Sequence, residues 1–455
     1  MLTPTQQTDP ALASSGALDP SDWGAFDQAV DKVLSAVSTK MRQASKGRVW
    51  TPMPGDLKDA LNAPPPMTGL DHDAVAARLI ALLPYGVGNT HPRFFGWVHG
   101  AGAPGNLLAD MIASAINANC GGRDHVGIYV ERQVIDWCRT LMRFPDTASG
   151  LIVSGTSMAS LIAAKTARDA ALSFANRQAG LGTQRLIGYV SSEAHNCLAR
   201  AFDLLGLGTD ALRKVAVTEA FEIDLDDLQA QIARDREAGH QPFMLAGNAG
   251  TVNTGAIDDL DALADIASRE GLWFHVDGAF GACGMLHPEL APKLSGLERA
   301  SSLAFDFHKW LHVNYDAGCV LIRDGALHRQ AFASRPDYLA AGGMALAGGD
   351  PWPVDFGPEL SRGFRALKVW SHLLEHGTPR LGETIADNCA QAAYLSDLVE
   401  AHPRFERLAP TSLNICCFRY RPHGVAIEEL DALNAALVAR IQLSGVAAPS
   451  TTRSK

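Results

Sequence analysis

Residues 301–318 read SSLAFDFHKWLHVNYDAG, two apolar segments around a polar centre in which His308, Lys309 and Trp310 are adjacent. Lysine is rarely buried, and desolvation drives its amine toward the neutral, nucleophilic form. Lys309 is therefore a candidate to condense with an aldehyde; the plain alternative is a lysine snorkelling from a loop to water. Three further stretches offer matching chemistry. Residues 154–160, SGTSMAS, join an apolar segment to a helical pattern. Free N–H groups and the Thr156 and Ser157 hydroxyls there suit a phosphate, or else form an ordinary helix cap. His275 and Asp277 alternate along one apolar segment and share a face. A carboxylate buried there needs a cation or several donors, and a protonated ring nitrogen would serve, with Ala279 small enough to admit a flat ring. Capping a turn at Gly278 is its other use. His195, which follows SSEA, could stack on such a ring or be a structural histidine.

These residues need a scaffold, and its pattern is visible between residues 150 and 322. Short apolar segments at 151–154, 185–190, 214–217, 243–247, 272–276, 301–305 and 318–322 alternate with helical patterns at 157–175, 194–205, 224–235 and 258–270. The alternation predicts an α/β fold with a mostly parallel, doubly wound sheet. Ligands of such sheets sit outside the strand carboxyl ends, which places Thr156, His195, Asp277 and Lys309 on one rim. Ahead of the sheet, apolar spacing predicts a helix over 21–44, capped by Asp19 or Ser21, then a proline-rich connector and helices at 106–120 and 126–144. In the 106–120 helix, Met111, Ile112, Ala115 and Ile116 form an apolar face. Beyond residue 324 a glycine- and proline-rich stretch, 335–354, reads as a long loop, either a lid or a disordered segment. Helices at 358–376 and 380–401 and strands at 405–408 and 414–420 follow. The chain thus divides into an N-terminal lead-in and helical arm (1–90), a large domain (91–357) and a small C-terminal α/β domain (358–455).

Totals exclude several classes. The 455 residues exceed one small core, and a formal net charge of −10 argues against a nucleic-acid or anionic-membrane surface. No apolar run is long enough for a membrane span, and the first residues lack the pattern of a signal peptide. Eight scattered cysteines without a CxxC pair are expected as reduced thiols of a cytoplasmic protein. Residues 100–105 formally match GxGxxG, but Pro104 and the lack of a preceding strand fit a dinucleotide site badly, despite Asp124 at a suitable distance. His308 and His312 are four apart without a third ligand, so no metal is expected.

A phosphate cradle, a stacking imidazole, a strand-end aspartate and a lysine together describe a pyridoxal 5'-phosphate site. Over residues 50–440 the chain resembles the group II amino-acid decarboxylases, the aromatic-L-amino-acid decarboxylase-like family of fold type I (aspartate-aminotransferase-like). The resemblance is carried by His91-Pro92-Arg93-Phe94, residues 154–160, Ala194-His195, His275-Val276-Asp277-Gly278-Ala279, Asp306-Phe307-His308-Lys309-Trp310 and residues 361–368. It implies decarboxylation of an L-amino acid, aromatic ones among the candidates, to the amine and CO2. Lys309 would form the Schiff base, with His308 and Asp306 beside the phosphate and Thr156 and Ser157 donating to it. Asp277 would pair the pyridinium, Ala279 would pack on the ring and His195 would stack on its other face. Tyr338 matches the tyrosine that protonates the carbanionic, quinonoid intermediate. A homodimer is implied as well.

Three departures stand out. His99-Gly100 replaces the Pro–Thr step that relatives carry after HPxF; Val252 stands where aromatic-specific relatives have Thr; and the sequence stops some tens of residues before the family's usual close. A partner subunit covering the edge of the small domain is one expectation from the last. The alternatives are an aldehyde synthase or carbon–carbon lyase using the same cofactor, and a non-catalytic relative. Retention of Tyr338 and His195 leans against the synthase, and HKW against the sphingosine-phosphate lyase branch.

Overall fold

The computed structural model describes residues 18–334 and 344–452. Its contacts define two compact units, one made of the described residues up to Phe94 with Gln442–Ala448, the other of Phe95–Ile441 and the chain from Pro449. In the first unit, helices Trp23–Arg42 and His72–Leu82 pack together and are joined by a Lys32–Asp73 ion pair. The first helix is capped by Asp22, which accepts from the Ala25 N–H at 3.0 Å, rather than by Asp19 or Ser21. Asp22 wins because it is the residue held extended immediately before the first turn. The unit closes where Val49 N donates to Gly445 O and Ala448 N to Arg93 O.

The second unit is built on seven strands: β1 (Ser149–Val153), β2 (Leu186–Ser191), β3 (Leu212–Val215), β4 (Gln241–Asn248), β5 (Trp273–Asp277), β6 (Ser302–Asp306) and β7 (Gly318–Ile322). Their order is β1-β7-β6-β5-β4-β2-β3. Neighbours from β3 to β6 are parallel, whereas β7 is antiparallel to both β6 and β1. Two reversals restore direction, so β1 points along β6 and the carboxyl ends of β1, β2, β5 and β6 open on one rim. Leu151, Ile152 and Val153, and Cys319 through Ile322, are buried, as strands covered on both faces must be. Helices Thr156–Ala171, Cys197–Leu204, Leu225–Glu237 and Leu260–Glu270 lie between strands. Asp224 caps its helix through the N–H groups of Asp226 and Asp227, and Gly271, at φ 65°, ends the helix before β5.

The helix expected over 358–376 spans only Arg365–His376. The preceding backbone is used elsewhere: Cys120 N donates to Arg362 O, and Arg362 N to Asn119 Oδ1 at 3.0 Å. Arg362 is buried and grips Glu131 with both guanidinium arms, at 2.9 and 2.7 Å. Glu131 in turn accepts from Ile152 N in β1 at 3.0 Å. The strand expected over 414–420 shortens to Phe418–Tyr420, antiparallel to Phe405–Arg407. Helix Asn106–Ile116 leaves its apolar face, Leu108, Met111, Ile112, Ala115 and Ile116, exposed. All eight cysteines are free thiols, and among the described residues no helix is long and apolar enough to cross a membrane.

Two outcomes follow from this packing. Replacing Arg362 by Met strands Glu131 in the core and should cost about 3–5 kcal/mol in urea unfolding, much of it recovered when Glu131 is also made apolar. The imidazole of His328 is buried between Ser149 Oγ (2.8 Å) and the Phe356 carbonyl (2.7 Å), and burial lowers it from 6.5 to about 3. The unfolded chain therefore takes up this proton first. Its contribution is whole above pH 6.5 and is lost as pH falls toward 3, reaching about 2 kcal/mol near pH 5. Denaturant midpoints measured across that window should fall less steeply in His328→Gln than in the parent.

Candidate active site

The carboxyl rim brings Thr156, Asp277, Asp306, His308 and Lys309 together. β6 ends in Asp306, which is buried, and the chain turns at once into His308 and Lys309. Lys309 Nζ lies 3.1 Å from Asp306 Oδ2, and His308 Nε2 lies 3.7 Å from the same oxygen. Asp306 Oδ1 accepts from Thr156 N at 2.7 Å, so the start of helix Thr156–Ala171 is capped by a carboxylate from another strand. His308 Nδ1 accepts from Ala317 N at 3.1 Å, which leaves the neutral ring's proton on Nε2. Burial holds this imidazole below its ordinary value, with Asp306 opposing. Lys309 departs from the expectation that burial would lower it. Burial does act in that direction, but the charges of Asp306 and Asp277 outweigh it and the amine stands above its ordinary value.

Thr156 is not the helix cap; Gly155 is, without a side-chain bond. The Thr156 hydroxyl is buried and has no partner among the described residues. Met158 N and Ala159 N both donate to Gly155 O, and Thr156 N goes to Asp306. What the first turn offers an anion is thus the Thr156 hydroxyl and the Ser157 N–H, with the exposed Ser157 side chain beside them. Asp277 ends β5 and is buried; its Oδ1 accepts from Ala279 N at 3.1 Å, so it does brace the turn at Gly278. Its Oδ2 faces the thiol of Cys197, 3.5 Å away. His195 is exposed after β2, its Nδ1 accepting from Cys197 N at 3.2 Å. His275 lies on the Asp277 side of β5, as alternation requires, bonded to Ser302 Oγ at 2.9 Å. Tyr338 lies outside the described residues.

Several contributors carry little sequence signal. Gly318 opens β7 where an added Cβ would fall 2.6 Å from both Asp306 Oδ1 and Gly155 Cα. Glycine at the start of an apolar strand is a hint of such close approach. Gly100 is similar: a Cβ there would sit 2.2 Å from His308 O and 2.3 Å from Lys309 O. The GxGxxG run is therefore a loop pressed onto the lysine segment, tied by Ala103 N to Asn314 Oδ1 at 3.0 Å. Rings form a path toward the lysine, from Trp97 to His99 (6.0 Å), His99 to Tyr315 (6.0 Å) and Tyr315 to His308 (4.3 Å). An acidic substrate would call for a cationic side chain, and the arginines Arg93 and Arg123 have other contacts. Arg93 donates to Gly47 O, and Arg123 lies over the Trp352 ring at 4.9 Å.

An aldehyde-bearing pyridine phosphate fits this donor set. The orphaned Thr156 hydroxyl at a helix N-terminus suits the phosphate, Asp277 suits a ring N–H cation, and Lys309 suits the aldehyde. Sheet order and site together define a fold type I pyridoxal phosphate enzyme. Residues 54–421 match the pyridoxal-dependent decarboxylase conserved domain, and the chain belongs to that family. It is 34% identical over 376 residues to an aromatic-L-amino-acid decarboxylase of Bacillus atrophaeus, covering 80% of this chain and 75% of that one. A phenylacetaldehyde synthase of Petunia hybrida is 29% identical over 73% of this chain and 67% of its own. Among solved structures, Oryza sativa TDC with PLP and tryptamine superposes with a TM-score of 0.88 at 27% identity, over 96% of this chain and 92% of that one. The protein is a pyridoxal phosphate-dependent carboxy-lyase.

Because the Thr156 hydroxyl has no hydrogen-bond partner among the described residues, its removal separates cofactor binding from folding. In Thr156→Val the cofactor-free melting temperature should hold or rise, while cofactor dissociates roughly ten- to a hundredfold more readily, the value of a hydrogen bond to a charged group. Equilibrium dialysis alongside thermal melts reads both.

Proposed function

We propose that this carboxy-lyase acts on an L-amino acid with an aromatic side chain, releasing CO2 and the amine, and works as a homodimer. The observation that carries the reading is Lys309 at the end of a run of rings, Trp97, His99, Tyr315 and His308. Those faces favour a flat apolar side chain. Arg123, a cation that could otherwise meet an acidic side chain, lies over the Trp352 ring, and the Bacillus atrophaeus relative is named for aromatic substrates. The exposed apolar face of Asn106–Ile116 supports a second copy, since contiguous apolar surface of this kind marks an interface.

The cofactor supplies the electron sink that makes loss of CO2 feasible. The chain's own groups do the rest. With the cofactor bound, Asp277 would hold the proton on its ring nitrogen. Lys309 would supply the amine that anchors the aldehyde, with Asp306 Oδ2 at 3.1 Å positioned to hold or take its proton. His195 would stack on the face of the cofactor ring. Tyr338 would deliver the proton that takes the place of the departing carboxylate at Cα.

The Petunia hybrida relative supports a second reading, an oxidative decarboxylation to the aldehyde. A panel of amino acids assayed for CO2, amine, aldehyde and oxygen uptake decides between them. Aromatic substrates should give CO2 and amine in equal amounts without oxygen uptake; preference for an acidic substrate would overturn the aromatic assignment. Tyr338→Phe should cut amine yield at least tenfold and divert product to aldehyde. Undiminished amine formation in that variant would remove Tyr338 from the mechanism.

A further inference from the structure

Cys197 touches the site at two points, and neither chemistry nor spacing singles it out in the sequence. It opens helix Cys197–Leu204, two residues after His195, with its side chain buried between that helix and the sheet. Its backbone N–H donates to His195 Nδ1 at 3.2 Å, and its thiol reaches Asp277 Oδ2 at 3.5 Å. Ser160 Oγ lies 3.8 Å from the sulfur and the His195 carbonyl 3.9 Å away.

The two Asp277 oxygens are therefore fixed independently. Oδ1 is held by Ala279 N at 3.1 Å, from Asp277's own turn, and Oδ2 by a thiol carried on a separate element. One bond would let the carboxylate rotate about its Cβ–Cγ axis; two, from different directions, set its plane. Toward a carboxylate, which has no proton to give, the thiol is the donor. Burial and the Asp277 charge push this thiol well above its ordinary value, which keeps the proton on sulfur and makes the group a fixed donor instead of a nucleophile.

We propose that Cys197 is a positioning residue of the cofactor site: its thiol sets the plane of the Asp277 carboxylate toward the ring nitrogen, while its N–H fixes the tautomer and tilt of His195. With Nδ1 accepting, the neutral His195 ring carries its proton on Nε2, and the same residue thereby aligns the groups assigned to the edge and the face of the cofactor. This rests on the assignment of Asp277 to the ring nitrogen, and the test is arranged to fail separately from it.

Three substitutions sort donor from filler. Cys197→Ser keeps a donor, Cys197→Val keeps the volume without one, and Cys197→Ala removes both. Each is prepared cofactor-free, its fold checked by thermal melt, and titrated with pyridoxal 5'-phosphate, binding being read from the visible absorbance of the bound cofactor and its release on dialysis. Val and Ala should bind the cofactor roughly three- to tenfold more weakly than the parent, as expected for loss of one neutral donor, with Ser restoring parental binding. Binding by Val and Ala equal to the parent, or a Ser variant as weak as they are, would overturn the proposal. Asp277→Asn serves as the control for the underlying assignment. If it binds the cofactor as the parent does, the Asp277 role itself has failed; if it binds weakly, the outcome of the three cysteine variants bears on Cys197 alone.

Discussion

A single buried carboxylate holds the catalytic rim together. Asp306 Oδ1 takes the first N–H of helix Thr156–Ala171, and Oδ2 takes the Lys309 ammonium. Its backbone N–H donates to Ala279 O at 3.0 Å, fastening the turn that follows Asp277. A charge this buried is tolerable only when paired and hydrogen-bonded, so each partner is obligatory. The cost of burying it is what enforces the meeting of β1, β5 and β6 at one point. Position of the lysine, position of the helix N-terminus and position of the strand-end aspartate are consequences of satisfying one residue.

Such convergence requires backbone to approach backbone, and here side chains are the obstacle. Gly318 and Gly155 lie against each other at the Asp306 carboxylate, and Gly100 lies against the carbonyls of His308 and Lys309. None of the three has a φ in the left-handed region. Their selection is steric, from neighbours distant in sequence, and conformational freedom has no part in it. That is why the GxGxxG run at 100–105 resembles a nucleotide fingerprint and serves another end. The spacing is produced by the fit of a loop onto the lysine segment, with Gly102, at φ 74°, turning it past Asn314.

The sheet was readable because its strands are continuous apolar runs separated by helical periodicities, and all seven appear within about two residues of the expected positions. The antiparallel insertion of β7 was not, since pairing direction leaves no trace in a five-residue apolar run. Residues assigned by type and position along a strand, such as Asp277 and Lys309, were legible. Those that act through contacts across sequence were not: Cys197 needs the approach of helix and strand, and Arg362 owes its role to Glu131, 231 residues away. The apolar face of Asn106–Ile116 was visible as periodicity, but period alone cannot distinguish a face turned to the core from one turned outward.

Lys309 marks the limit of that kind of reading most clearly. A lysine in an apolar segment is expected to lose proton affinity, because burial disfavours the charged form whatever surrounds it. The sign reverses here because Asp306 and Asp277, three and thirty-two residues away in sequence, act on the same amine through a medium that screens poorly. Burial and charge are therefore not independent contributions, since the desolvation that weakens the ammonium also strengthens its attraction to each carboxylate. The carboxylates Asp306 and Asp277 act on the Lys309 ammonium, and His308 is kept toward its neutral form by burial. Lys309 is thus the principal local countercharge, and nucleophilicity at Nζ depends on how strongly those two carboxylates hold its proton. Any group that engages Asp277 weakens that hold, which couples the state of the lysine to occupancy of the carboxylate across the site.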